Sequence, residues 1–222
     1  MLAVRDGFMS LNLETGKSSL VATPQNHNPD NRFNDGKCDP AGRFWAGTME
    51  TPTQKGALFR LDRDLSVRRM LGGVGCSNGI AWSFDNKTMY YIDTNTSKID
   101  AFQYDITTGE ISNRRTAVAI PESLGSPDGM TMDAKGNLWV AHWDGWCVCC
   151  WDPNTGHLTR KVALPVSRPT SCAFGGPGFA TLYITSAAFG LDPTALKNQP
   201  GAGGIFCFDP GVPGRPAMSF EG

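Results

Sequence analysis

The chain has almost no net charge, little histidine and no long apolar run. Its 20 Lys+Arg balance 21 Asp+Glu to a formal charge of −1, which argues against a phosphate backbone as partner, so no nucleic acid is expected. No stretch of about 18 apolar residues occurs, so no membrane span is expected. The opening MLAVRDGFMSLNL is not a secretory signal, because Arg5-Asp6 breaks its apolar run. Amphipathic helical periodicity is missing as well. The three histidines, His27, His142 and His157, show no partner pattern for a Ser-His-Asp triad. Seven cysteines are an odd number. Alternation puts Cys147 and Cys149 on one strand face and Cys150 on the other, and no second Cys/His pair is spaced to complete a zinc tetrahedron. The cysteines are therefore expected to be buried free thiols, and the chain cytoplasmic.

What is present is a quasi-repeat. The segments NDGKCDPAGRFWAGT, SNGIAWSFDNKTMYYID and SPDGMTMDAKGNLWVAH each set an acid or amide directly before glycine. These residues are Asp35, Asn78 and Asp128, spaced 43 and 50 residues apart. A fourth copy, RPTSCAFGGPGFATLYITS, has Thr170-Ser171 there instead. An aromatic strand follows in each copy, and Trp45, Tyr90, Trp139 and Tyr183 recur at steps of 45, 49 and 44. A third series, LNLETG, FRLDRD, FQYDITTG, CWDPNTG and CFDPG, closes strands with an acid and a turn. Three series in phase indicate a stacked or radial array. Period-two alternation such as Ala101-Phe102-Gln103-Tyr104 makes the units β.

Each unit reads as four short strands, near 34–38, 43–48, 56–62 and 66–71 in the first complete copy. Such a unit is a propeller blade. The fold expected is all-β, one propeller domain over residues 1–222, with four full blades and most of another. Residues 1–22 supply strands like the outer three of a blade. Oxygen-bearing side chains at one place in every blade converge on the axis, where they suit a hard cation. Trp45, Trp82 and Trp139 are expected to pack between blades, and Asp105 and Asp152 to bind turn amides. Taken singly, NG and DG are also turn dipeptides in which glycine supplies a positive φ.

The segments RFNDGKCDPAGRFWAGTM, SNGIAWSFDNKTMYYIDT, ITTGEISNRR, PDGMTMDAKGNLWVA and PGAGGIF resemble the senescence marker protein, gluconolactonase and regucalcin family. The resemblance runs through essentially the whole chain. It implies a six-bladed propeller with one divalent metal in the central channel and hydrolysis of a small sugar lactone such as gluconolactone. Calcium is the first choice of ion, with zinc, magnesium or manganese as alternatives. The motifs that match place metal ligands at Asn78 and Asp128, and substrate contacts at Arg32, Asn34 and Asp35. The family's further metal ligand, a Glu in an N-terminal GEGP-like motif, has no counterpart here. By that comparison about the first blade is missing, and activity of this chain is in question. The exposed strand edges this would leave invite self-association.

The chemistry asked of these residues is simple. Lactone hydrolysis needs a polarised carbonyl and an activated water, and a divalent ion assists both. Asp128 is the carboxylate of the two implied ligands, so it is the expected general base, with Asp35 as second candidate. Arg32 offers fixed donors, while Asn34 and Glu50 are candidates for the lactone hydroxyls.

Overall fold

Alternating strands separated by turn residues fold into five antiparallel sheets, and the computed structural model describes residues 1–25 and 30–222. His27 lies outside the described residues. The first sheet holds β1 (Leu2–Val4), β2 (Gly7–Leu11) and β3 (Ser18–Ala22). The second holds β4 (Phe33–Cys38), β5 (Phe44–Thr48), β6 (Gly56–Leu61) and β7 (Val67–Val74). The third holds β8 (Ser77–Trp82), β9 (Thr88–Asp93), β10 (Lys98–Tyr104) and β11 (Ile111–Ala119). The fourth holds β12 (Ser126–Met132), β13 (Leu138–Trp143), β14 (Cys147–Trp151) and β15 (Leu158–Ala163). The fifth holds β16 (Pro169–Gly175), β17 (Thr181–Ser186) and β18 (Ile205–Phe208). One short helix, α1 (Pro193–Asn198), follows β17; the Asp192 side chain caps it by accepting from Ala195 N–H.

The expected count of four full blades needs correction: three sheets have four strands and two have three. No fourth strand forms beyond β18, because Pro210, Pro213 and Pro216 break the donor pattern a ladder needs. Instead the C-terminal segment runs across the turn ends of four sheets. Gly214 N–H donates to Phe179 O and Ala134 N–H to Pro213 O; Arg215 Nη2 donates to Trp82 O and Glu221 N–H to Gly42 O. The resemblance implied six blades; five are described, as three-dimensional units of one propeller.

Inner strands β4, β8, β12 and β16 pack side by side around the channel, and β1 packs on β4. Between sheets the core is aromatic. Trp45 meets Trp82 at 6.0 Å between ring centres and Trp139 meets Phe208 at the same distance, as expected of inter-blade packing. Two of these indoles are pinned by a buried acid six residues earlier: Trp45 Nε1 donates to Asp39 (2.9 Å) and Trp139 Nε1 to Asp133 (3.0 Å). Trp45, Tyr90 and Trp139 are 0%, 5% and 1% exposed, whereas Tyr183, their counterpart on the last sheet, is 43% exposed. With Ile205 and Cys207 it forms an uncovered face of the fifth sheet. Cys207 is thus an exposed thiol, and Cys38 and Cys76 are part-exposed, which corrects the expectation that all the thiols are buried. Cys147, Cys149, Cys150 and Cys172 are buried, and Cys147 and Cys149 share one inter-sheet core while Cys150 faces the other. Asp105 and Asp152 bind turn amides, at Thr107 and Asn154.

The turn reading of the Asp/Asn-Gly pairs does not hold. Gly36, Gly79 and Gly129 lie inside β4, β8 and β12, and none has a positive φ. Each falls where the inner strand slips register against its neighbour: between Phe33 and Gly36, Ser77 and Ile80, and Pro127 and Met130. A fourth slip, between Pro169 and Ser171, occupies the same place in β16. Such bulges re-aim side chains and are enriched beside active sites. Gly79 and Gly129 let the next inner strand approach: a Cβ on Gly79 would lie 2.5 Å from Met130 Cβ, and one on Gly129 2.1 Å from Ser171 Oγ. Gly129→Ala should therefore destabilise the fold by about 1–3 kcal/mol through overpacking. Urea unfolding checks this, and an unchanged midpoint would refute the close-approach argument.

Candidate metal and substrate site

The four register slips open onto one cavity of about 560 Å3 at one mouth of the channel. Its volume lies in the ~300–1,000 Å3 range of small-molecule sites. Arg32, Asn34, Asp35, Asn78 and Asp128 all line it, so the structure brings together five of the six residues singled out in the sequence. Glu50 is the exception. Its neighbour Met49 faces the cavity, while the Glu50 carboxylate is taken up by Lys55 and by Asn95 Nδ2 (2.9 Å). A separate cleft between the first two sheets, at Pro24, Gln25, Lys55 and Arg69, holds none of the repeated acids.

A hydrogen-bond chain crosses three sheets beneath the cavity. Arg32 Nη1 donates to Asn34 Oδ1 (2.9 Å), and Asn34 Nδ2 donates to Asn78 Oδ1 (3.0 Å). Asn78 Nδ2 then donates to Thr94 Oγ1 (2.7 Å), whose hydroxyl donates to the Pro127 carbonyl (2.7 Å) next to Asp128. The chain fixes Asn78 with its Nδ2 spent on Thr94 and its Oδ1 toward Asn34. A carbonyl oxygen has a second lone pair, so Oδ1 can still meet a cation. The loop before Asn78 is fixed in turn by Asp93, whose carboxylate accepts from the amides of Gly75 (3.0 Å) and Cys76 (2.9 Å).

The acids are the unbalanced part. Burial, and then the nearby charge of Asp35, push the Asp128 carboxyl up to about 7, against a lowering by the Gly129 amide. Burial also raises Asp35, opposed by the Lys37 ammonium and by the Gly36 amide, which donates to its own Oδ1 at 2.7 Å. Asp35 therefore binds the backbone of its own strand and faces the cavity at once. Lys37, two residues deeper on the same strand face, donates to the Met130 carbonyl (2.6 Å), and burial lowers its pKa. Burial raises both carboxylates, and Asp35 raises Asp128 further; a cation beside them would relieve that penalty. The donors are carboxylate and amide oxygens, which suit a hard divalent ion. Among the described residues no cluster of three His, Cys, Asp or Glu side chains is placed to hold a metal. Asn78 and Asp128, with Asp35 lining the same cavity, offer amide and carboxylate oxygens to such an ion, which water or substrate oxygens would have to complete.

The radial sheets and this channel geometry have close counterparts. The family profile described as "SMP-30/Gluconolactonase/LRE-like region" matches residues 1–188. The chain belongs to this family. Regucalcin from Oryctolagus cuniculus is 45% identical over 97% of this chain and 75% of its own length. A crystal structure described as a calcium-binding protein, regucalcin, from Agrobacterium tumefaciens superposes with a TM-score of 0.91 at 28% identity, over 98% of this chain and 74% of that one. A gluconolactonase from Xanthomonas campestris superposes at 0.68 with 26% identity, over 82% of this chain and 62% of that one.

For this SMP-30/gluconolactonase chain, the sequence missed several residues that line the cavity. Thr94 and Cys76 flank Asn78, with the Cys76 thiol 3.7 Å from Asn78 Nδ2. Trp143 is the last residue of β13, and Ala187 and Phe189 come from the loop after β17. The usable signal was the fourth repeat copy, whose Thr170 and Ser171 both line the cavity. No helix of the described chain is long and apolar enough to cross a membrane.

Proposed function

We propose that the chain hydrolyses sugar lactones, aldonolactones such as gluconolactone, with one divalent ion held by Asn78 and Asp128, calcium first. The observation that carries this reading is the convergence of Asp35 and Asp128 in one cavity, at the end of the Arg32–Asn34–Asn78–Thr94 chain. Family membership supports it. An ion held by Asn78 and Asp128 would supply Lewis acidity for a carbonyl oxygen and would ease ionisation of water.

The protein's own groups do the rest. Asp128 accepts a proton from water as the general base. Arg32 presents guanidinium donors to ring-substituent oxygens while its Nη1 holds Asn34. Asp35 and Asn34 meet substrate hydroxyls. Thr94, through Asn78, is a positioning residue. Glu50 is left out of this assignment because Lys55 and Asn95 occupy it.

A second reading is divalent-ion binding without turnover, favoured by the solved relative described as a calcium-binding protein. Proton release from gluconolactone, corrected for spontaneous ring opening, separates the two. Metal-dependent acceleration supports hydrolysis. A metal-loaded protein no faster than background on several aldonolactones supports binding alone.

A further inference from the structure

Four inner strands form an arc around the cavity: β4 packs on β8, β8 on β12 and β12 on β16. The two middle strands each send one residue of the slip into it, Asn78 and Asp128. The two flanking strands each send an adjacent pair, Asn34–Asp35 from β4 and Thr170–Ser171 from β16. Neighbours on a regular strand point to opposite faces, and a slip lets both members turn inward. Asn34 and Asp35 are committed to Arg32, to Asn78 and to the Gly36 amide. Thr170 and Ser171, both part-exposed, have no comparable duty.

Their hydroxyls are set for a ligand. Thr185 Oγ1 lies 2.7 Å from Thr170 Oγ1 and donates, at 3.5 Å, to the Ser171 carbonyl. With the Thr185 proton on that carbonyl, Thr170 is the donor in the short contact. What Thr170 keeps for the cavity is then an acceptor. Ser171 Oγ rests against Gly129, beside Asp128, and no described residue hydrogen-bonds it. It can therefore donate as well as accept. An acceptor next to a free donor is complementary to an alcohol group, which needs one of each. A carboxylate can only accept and an ammonium only donate, so each would use half of the pair.

We infer that Thr170 and Ser171 are specificity residues that read one ring hydroxyl of an aldonolactone. Thr170 Oγ1 accepts a hydrogen bond from that hydroxyl, and Ser171 Oγ donates one to it. The inference rests on the hydrolytic reading above and names the substrate group held on the side of the cation ligands away from Asn34.

The test compares glucono-δ-lactone with δ-valerolactone, which share the six-membered reacting ring and differ in the hydroxyl-bearing substituents. The proteins are the wild type, Ser171→Ala, Thr170→Val and the double variant. The ratio of kcat/KM, gluconolactone over valerolactone and corrected for spontaneous opening, should fall at least about tenfold in the double variant, since two hydrogen bonds to the hydroxylated ring are lost and none to the bare one. The single variants serve if the double variant fails to fold: one deletes a single oxygen and the other keeps the side chain's shape. No fall in the ratio, including an equal loss on both lactones, overturns the assignment and leaves the hydrolytic reading standing. If neither lactone is turned over, the hydrolytic reading fails. In that case, or where only one lactone is turned over, calorimetric binding of 1,5-anhydro-D-glucitol in calcium decides. Weaker binding in the variants sustains the pair; equal binding, or none in the wild type, overturns it.

Discussion

Asp128→Asn is expected to slow lactone hydrolysis by about 10²–10⁴-fold, the usual contribution of a general base, while Asp35→Asn costs far less. The two acids share a cavity but are differently employed. Asp35 spends one oxygen on the Gly36 amide and has Lys37 as a counter-charge on its own strand. Asp128 has no cationic side chain lowering its pKa, and burial and Asp35 raise it. Its carboxylate is therefore the one with basicity to offer, and its loss also removes charge from the cation site. With the divalent ion bound, the rate should rise with pH as Asp128 ionises, below the value of about 7 that this carboxyl has without one. Steady-state rates across pH, for both variants under saturating divalent metal, check this. Equal loss in the two variants would move the base elsewhere.

The same carboxylate should make stability depend on pH in an unusual direction. Its folded pKa is about 7 against an ordinary value of 3.8. The folded state therefore binds this proton more tightly than the unfolded state does, and its contribution is present below about 4 and is lost as pH rises toward 7. Asp35 shifts the same way. The exposed turn acids Asp64, Asp85, Asp105 and Asp152 are shifted down and act oppositely. The comparison that isolates the channel is therefore wild type against Asp128→Asn. In chelator, the wild type should lose about 1–4 kcal/mol relative to the variant between pH 5 and 8, read as several degrees of melting temperature. Calcium should restore the wild type at pH 8 by about 2.7 kcal/mol at a hundredfold excess over Kd, and leave the variant little changed. Parallel pH profiles would show that Asp128 is not strained by its surroundings.

Recurrence made the centre of the site legible. Asp35, Asn78 and Asp128 sit at one phase of a period near a blade's length, and phase maps to place in a radial array. What recurrence cannot carry is anything that happens once. Thr94 holds Asn78 from a single loop, and Phe189 enters from the loop before α1. Glu50 and Met49 show how fine the difference is: adjacent residues at the end of β5 point to opposite sides, and only Met49 reaches the cavity. The bulges were hidden for a different reason. A register slip leaves no mark in composition, and the Asp/Asn-Gly pairs that form it look like turns. Two of their glycines, Gly79 and Gly129, answer to a neighbouring strand's side chains, Met130 and Ser171, which only the packed sheets bring near. The course of the C-terminal segment was equally invisible, since its prolines exclude a strand but do not say where the chain goes.

The most direct measurement is calorimetric titration of calcium into the wild-type chain and into Asp128→Ala. The account predicts one ion per chain in the wild type, and affinity at least about tenfold weaker in the variant, because calcium affinity follows the number of charged ligands. Equal affinity in the two proteins would place the ion elsewhere and contradict a cation site built on Asn78 and Asp128.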